Sequence, residues 1–121
     1  MRQATFVYFM RMVSGVGPVK IGCSENPPMR LSTYGTWSPY PLEIVAQIPG
    51  SRELEWNIHD CFFDLHSHRE WFHPSPRIAT VIDKLKAGVA IEQAMDLADI
   101  RGCVRSKIAA RRWAARRGEA A

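Results

Sequence analysis

Residues 5–23 read TFVYFMRMVSGVGPVKIGC and predict two strands joined by a turn. Residues 5–13 are rich in β-branched and aromatic side chains, which favour a buried strand. Residues 14–18 are turn formers, and residues 19–23 alternate between apolar and other side chains. We therefore expect an antiparallel pair of strands at the start of the chain.

A first helix is predicted after this pair. The segment PPMRLSTYG at 27–35 follows two N-cap candidates, Ser24 and Asn26, and proline is tolerated in a first helical turn. We expect the helix to end at Gly35 and residues 36–41, TWSPYP, to form a loop.

The remaining segments alternate between strand and helix. Residues 42–48 alternate in polarity and predict a third strand. A second helix is expected from Ser51 onward, and residues 66–76 are expected to be irregular. A third helix is predicted over 76–87 and a last helical stretch over 91–117.

This order of elements predicts an α+β fold, with a small antiparallel three-stranded sheet flanked by helices. A chain of 121 residues is the length of one domain. We place the folded domain at residues 1–74 and a helical C-terminal extension with a basic tail at residues 75–121.

Positive charge is concentrated at the C-terminal end of the chain. Residues 1–100 contain nine Lys and Arg against eleven Asp and Glu, whereas residues 101–121 contain seven against one. This asymmetry favours a polyanionic partner, most simply DNA, and the alternative is a solvated helix end that aids solubility. Six basic residues are the predicted nucleic-acid contacts: Arg105, Lys107, Arg111, Arg112, Arg116 and Arg117.

Several other classes of protein are disfavoured. No apolar run approaches the length of about 18 residues that a membrane-spanning helix needs. The apolar N-terminal stretch is interrupted by Arg11, so we interpret it as a strand and not a signal peptide. The three cysteines are widely spaced without a CxxC pair, which favours reduced thiols in a cytoplasmic protein and gives no zinc-site spacing.

The paired strands carry two short motifs, FVY at 6–8 and, after eleven residues, KIG at 20–22. Together they resemble the signature of the GIY-YIG nuclease superfamily. The resemblance continues with Arg30 and, one helical turn later, Tyr34 in the first predicted helix. Glu55 in the second helix matches the position of the superfamily's metal-binding glutamate.

The later motifs resemble the short, phage-associated branch of that superfamily. The sequence EWF at 70–72 looks like the motif of that branch, which also commonly has KIG in place of YIG and keeps the histidine found here as His59. The resemblance covers roughly residues 5–73, with its parts in the expected order.

This resemblance implies a metal-dependent endonuclease that hydrolyses phosphodiester bonds in DNA. Tyr8 would act as the base, Arg30 would bind phosphate oxygens, and Glu55 would hold one Mg²⁺ or Mn²⁺ ion. Three further residues would support these roles: Lys20, Tyr34 and His59.

The residue types suit this chemistry independently of the resemblance. A tyrosine beside a lysine or a metal ion can ionise below its free pKa of about 10, and Lys20 lies on the strand next to Tyr8. A planar guanidinium matches phosphate oxygens, and Mg²⁺ commonly takes one or two carboxylates together with water and substrate phosphate.

Two positions depart from the superfamily pattern and support rival functions. Lys20 replaces the second motif's tyrosine, and Cys23 stands where many relatives have a basic residue. These departures favour a DNA-binding module of the same fold that no longer cleaves DNA. A second rival is an interaction protein whose tail binds RNA or an acidic partner. Glu70 is either an auxiliary group of the site or a structural residue, and the oligomeric state is left open between a monomer and a weak dimer.

Overall fold

The computed structural model describes residues 4–95, which form an α+β domain around a five-stranded antiparallel sheet of strand order β3-β1-β2-β5-β4. A single turn of 3-10 helix at Phe63–Leu65 precedes β4. The strands and helices are β1 (Phe6–Met12), β2 (Val19–Ser24), α1 (Pro27–Trp37), β3 (Leu42–Pro49), α2 (Arg52–Cys61), β4 (His66–His68), β5 (Trp71–Phe72), α3 (Pro76–Lys86) and α4 (Ile91–Ala94).

The predicted hairpin of β1 and β2 is confirmed, and its register decides which side chains share a face. Phe9 lies opposite Ile21, and Tyr8 lies opposite Gly22. Because residues that lie opposite one another in an antiparallel pair point to the same face, Phe9 and Ile21 belong to one face and Tyr8, Gly22 and Lys20 to the other.

The face that carries Phe9 and Ile21 packs against α2 and α3. Ile58 of α2 and Ile78 and Ile82 of α3 are at most 1% exposed and belong to the same hydrophobic cluster as those strand residues. The apolar residues that recur at helical spacing in these two helices therefore form their core contacts. Helix α3, which we had placed in the extension beyond residue 74, shares the core of the sheet.

Helix α1 covers the opposite face, where it packs on β1, β2 and β3. It begins after Asn26, whose side-chain oxygen accepts a hydrogen bond from the Met29 N–H at 3.2 Å. Pro27 is its only fully buried residue, and Trp37 is 83% exposed. This helix is therefore held at its inner edge and leaves most of its surface to solvent.

The sequence-based prediction was wrong on two points. The sheet has five strands and not three, because residues 66–76 contain the short hairpin of β4 and β5. Helix α1 runs past Gly35 to Trp37, so residues 36–37 are helical and not part of a loop. Gly35 is tolerated in the helix, and the chain leaves it at Ser38, directly before Pro39, which disfavours helical backbone at the residue that precedes it.

The last predicted helical stretch begins as α4, but Met95 has extended backbone, so the helix ends after one turn at Ala94 instead of continuing as predicted. Residues 96–117 of that stretch, including the basic tail, lie outside the described residues. Among residues 4–95, no helix has the length and apolar character needed to cross a bilayer.

Candidate functional site

A cleft of about 270 Å³ lies beside the edge of β2, where the pairing with β5 stops. Within β2, strand β5 pairs with Val19 and Lys20 alone, and the next residue, Ile21, donates its N–H to the Glu70 carbonyl at 3.0 Å. The beginning of α2 and the turn before β5 form the walls beyond this point. Seven residues line the cleft: Lys20, Tyr34, Arg52, Glu55, Trp56, Arg69 and Glu70.

Lys20 joins three elements at this cleft. Its Nζ atom lies 2.9 Å from Oε2 of Glu70 and 4.2 Å from the centroid of the Tyr34 ring. The Lys20 side chain is only 4% exposed, so the charge is balanced by the carboxylate and by the electron-rich ring face. Lys20 therefore connects β2 to helix α1 through the Tyr34 ring, and to the turn before β5 through its ion pair with Glu70.

Tyr8 lies next to the cleft on the face covered by α1. It is 1% exposed, and a Cβ atom at Gly22 would overlap its phenol ring and hydroxyl. A residue without a side chain at position 22 is therefore what allows the phenol to lie across β2. This close approach gives a physical reason for the glycine of the KIG motif.

The electrostatic surroundings of Tyr8 reverse one expectation. Burial raises the pKa of Tyr8 well above its usual value, the negative charge of Glu70 raises it further, and Arg30 acts in the opposite direction. We had expected Lys20 to lower this pKa. Lys20 is instead paired with Glu70, and burial disfavours the tyrosinate.

Glu55 is the carboxylate that the fold buries at the cleft. It lies in the first turn of α2, three residues after Arg52, and is 2% exposed. Residues 4–95 bring together no group of three His, Cys, Asp or Glu donors, so these residues do not form an all-protein metal cage. One or two carboxylates beside water-accessible space are a donor set that suits Mg²⁺ or Mn²⁺, which keep several waters.

Arg30 lies in a neighbouring groove of about 520 Å³ and not in the cleft itself. Cys23 and Thr33 also line this groove, and Arg52 lines both hollows. Burial raises the pKa of the Cys23 thiol, so this side chain is neutral at the position where the superfamily resemblance implies a basic residue. The cleft and the groove thus meet at Arg52.

His59 is inside the domain and lines neither hollow. It is fully buried, and its Nε2–H donates to the Ile21 carbonyl at 2.8 Å. Its ring also contacts Phe72, with 5.0 Å between ring centroids. This hydrogen bond satisfies a carbonyl on the edge of β2 that faces β5, so His59 joins α2 to that edge from inside the core. His59 therefore helps to hold β2, the strand that carries Lys20, in its position.

Comparison with known protein families assigns the fold to a family. A family model described as the T5orf172 domain matches residues 5–91, which is most of the chain. The chain belongs to the T5orf172 domain family. Neither the curated proteins nor the solved structures contain a match to it.

Three residues that line the cleft of this T5orf172 domain are not predicted from the sequence: Arg52, Trp56 and Arg69. Gly22, which makes room for Tyr8 beside the cleft, enters the sequence prediction only as part of the KIG motif. Arg52 carried a signal, since it stands one helical turn before Glu55 and shares its face. The position of Arg69 follows from the β4–β5 hairpin, which the sequence analysis did not predict.

Of the predicted site residues, the T5orf172 domain brings Lys20, Tyr34 and Glu55 together at the cleft. Tyr8 lies next to it, Arg30 lies in the adjoining groove, and His59 lies in the core. The six predicted contacts of the basic tail lie outside the described residues: Arg105, Lys107, Arg111, Arg112, Arg116 and Arg117.

Proposed function

We propose that this T5orf172 domain is a metal-dependent endonuclease of the GIY-YIG type that hydrolyses phosphodiester bonds in DNA. The observation that carries the proposal is the convergence of Lys20, Tyr34 and Glu55, from three different elements, on one cleft. Tyr8 lies beside these groups, since Glu70, Tyr34 and Glu55 all act on its ionisation. Clusters of buried titratable groups at a cleft are typical of catalytic sites.

Glu55 is the proposed ligand of Mg²⁺ or Mn²⁺, and the ion would supply charge stabilisation at the phosphoryl oxygens. Glu55 fits this role because it presents a buried oxygen donor at the cleft wall. Glu70 also lines the cleft, where its half-exposed carboxylate pairs with Lys20 at 2.9 Å. We assign the metal contact to Glu55 because it is the more deeply buried carboxylate and stands at the position that the GIY-YIG resemblance gives to the metal ligand, and we assign Glu70 to orienting Lys20.

Arg30 and Arg52 are the proposed contacts to the DNA backbone. Arg30 lines the groove, and Arg52 stands where the groove meets the cleft. A strand laid along both hollows would pass these two guanidinium groups, which bind phosphate oxygens in a planar, bidentate manner. The basic tail would add salt-dependent affinity along the same polyanion.

Tyr8 is the proposed general base, and its raised pKa sets a condition on that role. The phenol is protonated at neutral pH, so only a small fraction is ready to accept a proton from the attacking water. The reaction is then expected to be slow near pH 7 and to accelerate as the solution becomes alkaline. A single site of this kind cuts one strand at a time, so a monomer would nick duplex DNA and a weak dimer could cut both strands.

A second candidate function is a DNA-binding module of the same fold without cleavage. Two observations favour it: Lys20 is neutralised by Glu70, and burial keeps the Tyr8 phenol protonated. Under this alternative the cleft would bind the DNA backbone, and Glu55 would not be needed.

Incubation of the full chain with supercoiled plasmid separates these functions. An endonuclease nicks the plasmid in Mg²⁺ or Mn²⁺ and only shifts its mobility in EDTA. A binding module shifts the plasmid under both conditions and never nicks it. Absence of both nicking and salt-dependent binding would overturn both proposals and leave the interaction protein, whose tail binds RNA or an acidic partner.

A further inference from the structure

The turn between β4 and β5 holds an arginine in a backbone conformation that favours glycine. Arg69 has a φ of +52°, and it is the only non-glycine residue with positive φ among residues 4–95. The other described residues with positive φ are Gly15, Gly17 and Gly88. An L side chain in this left-handed region crowds its own backbone, so the conformation is strained for arginine and unstrained for glycine.

The position of Arg69 explains why the backbone is left-handed there. His68 lies opposite Trp71, so Arg69 and Glu70 form a two-residue hairpin turn. Only the first of these two residues has positive φ, which is the pattern of a turn that prefers glycine at that place. The hairpin geometry therefore requires the strained backbone but gives no reason for an arginine.

The hydrogen bonds of the turn do not require an arginine either. The Arg69 carbonyl accepts a hydrogen bond from Nε2–H of His66 at 2.6 Å, and the Glu70 carbonyl accepts one from the Ile21 N–H at 3.0 Å. Both acceptors are backbone atoms that glycine at position 69 would leave in place. Among the described residues, the Arg69 guanidinium itself forms no hydrogen bond and no ion pair.

The side chain of Arg69 instead lines the cleft. Of the three cationic residues there, Lys20 is paired with Glu70, whereas Arg52 and Arg69 lie at the exposed rim. We propose that Arg69 is a phosphate-binding residue of the cleft, retained at a strained turn position because its guanidinium contacts the DNA backbone. This inference rests on the proposed function, since it names a further residue that holds the same substrate.

The test compares stability and DNA affinity in the same set of full-length variants. Arg69→Gly relieves the strain and removes the charge, Arg69→Ala removes the charge but keeps the strain, and Arg69→Lys keeps a charge without the planar fork. Lys86→Ala is the matched control for loss of one positive charge, because Lys86 is an exposed residue of α3 outside the cleft lining. Binding is measured by fluorescence anisotropy with a labelled DNA duplex in Ca²⁺, over a series of salt concentrations, and stability is measured by urea unfolding.

We expect Arg69→Gly to unfold at a higher urea concentration than the wild type and yet to bind the duplex about five- to tenfold more weakly. For this variant, the slope of log affinity against log salt concentration should be shallower, by the amount expected when about one phosphate contact is lost. Arg69→Ala should lose the same affinity without the gain in stability, Arg69→Lys should bind with intermediate affinity, and Lys86→Ala should bind like the wild type.

Wild-type affinity in Arg69→Gly, with wild-type cleavage intact, would overturn this inference and leave the proposed function standing. Lower stability of Arg69→Gly would overturn the strain argument, because it would show that the arginine side chain supports the fold. A wild-type chain that neither binds nor cuts DNA would overturn the proposed function and this inference with it.

Discussion

Lys20 and Glu70 form an ion pair at the wall of the cleft, with Nζ of Lys20 2.9 Å from Oε2 of Glu70. The two partners are unequally exposed, since the Lys20 side chain is 4% exposed and the Glu70 side chain is 32% exposed. The effect of removing one partner therefore depends on which one remains. If Lys20 is removed, the remaining Glu70 carboxylate can be hydrated, whereas if Glu70 is removed, the remaining Lys20 ammonium stays largely out of water.

This asymmetry predicts that Glu70→Gln destabilises the domain more than Lys20→Met. We expect a loss of about 2 kcal/mol for Glu70→Gln, because a buried ammonium loses its counter-charge. Lys20→Met keeps the apolar stem beside the Tyr34 ring, and we expect a loss of less than about 1 kcal/mol. Urea unfolding measures both free energies. A larger loss in the free energy of unfolding for Lys20→Met than for Glu70→Gln would contradict this prediction, because it would show that the exposure of the remaining partner does not decide the loss.

The contact between Gly22 and Tyr8 predicts an intolerant glycine. Gly22→Ala places a methyl group on the Tyr8 phenol, and we expect a loss of about 1–3 kcal/mol as the ring or β2 is displaced. Gly35 is the matched control, because its added Cβ meets nothing within 4 Å and it lies inside α1. Gly35→Ala should stabilise the domain by about 0.5–1 kcal/mol. Similar unfolding midpoints for Gly22→Ala and Gly35→Ala would contradict the close approach of the Tyr8 phenol to Gly22.

The buried hydrogen bond of His59 predicts a structural and not a chemical role. His59→Leu leaves the Ile21 carbonyl without its side-chain donor, and we expect a loss of about 1–3 kcal/mol in the free energy of unfolding. His59→Gln offers an amide N–H and should recover part of that loss. If His59 only positions β2, cleavage by the folded His59→Gln variant should stay within a few-fold of the wild type. Complete inactivation of that folded variant would instead place the ring in the reaction.

The raised pKa of Tyr8 predicts the pH dependence of cleavage. A base must be deprotonated, and the deprotonated fraction of a group titrating far above the solution pH grows about tenfold per pH unit. Single-turnover nicking at fixed Mn²⁺ should therefore rise at close to this slope between about pH 7 and pH 9. Tyr8→Phe should abolish the rise. A plateau beginning near pH 7 would show that another group accepts the proton.

Long periodic segments of this fold were predictable, and very short ones were not. The β1–β2 hairpin and α3 are long enough for the repeat of their apolar residues to be visible in the sequence, and both predictions were confirmed. Strand β5 has two residues and β4 has three, which is too few for an alternation to be visible, so both were missed. The end of α1 was missed because glycine disfavours a helix without excluding it, whereas Pro39 after Ser38 is the stronger stop.

The candidate site was predictable where it depends on residue type and not where it depends on burial or pairing. Glu55 and Tyr34 were predicted as site residues from their motif positions, and both line the cleft. The ion pair of Lys20 depends on the register in which Lys20 lies opposite Trp71, one residue after Glu70. The direction of the Tyr8 pKa depends on its burial, which no local pattern of residues reveals.

The most direct test of the central claim is plasmid nicking by two glutamate variants of α2. Glu55 is buried at the cleft, and Glu53 is exposed two residues earlier on the same helix and outside the cleft lining. With Mg²⁺ or Mn²⁺, we predict that Glu55→Gln loses at least about a hundredfold in nicking rate while it still folds and binds DNA, and that Glu53→Gln nicks like the wild type. Equal nicking by both variants would contradict the assignment of this cleft as the site of cleavage.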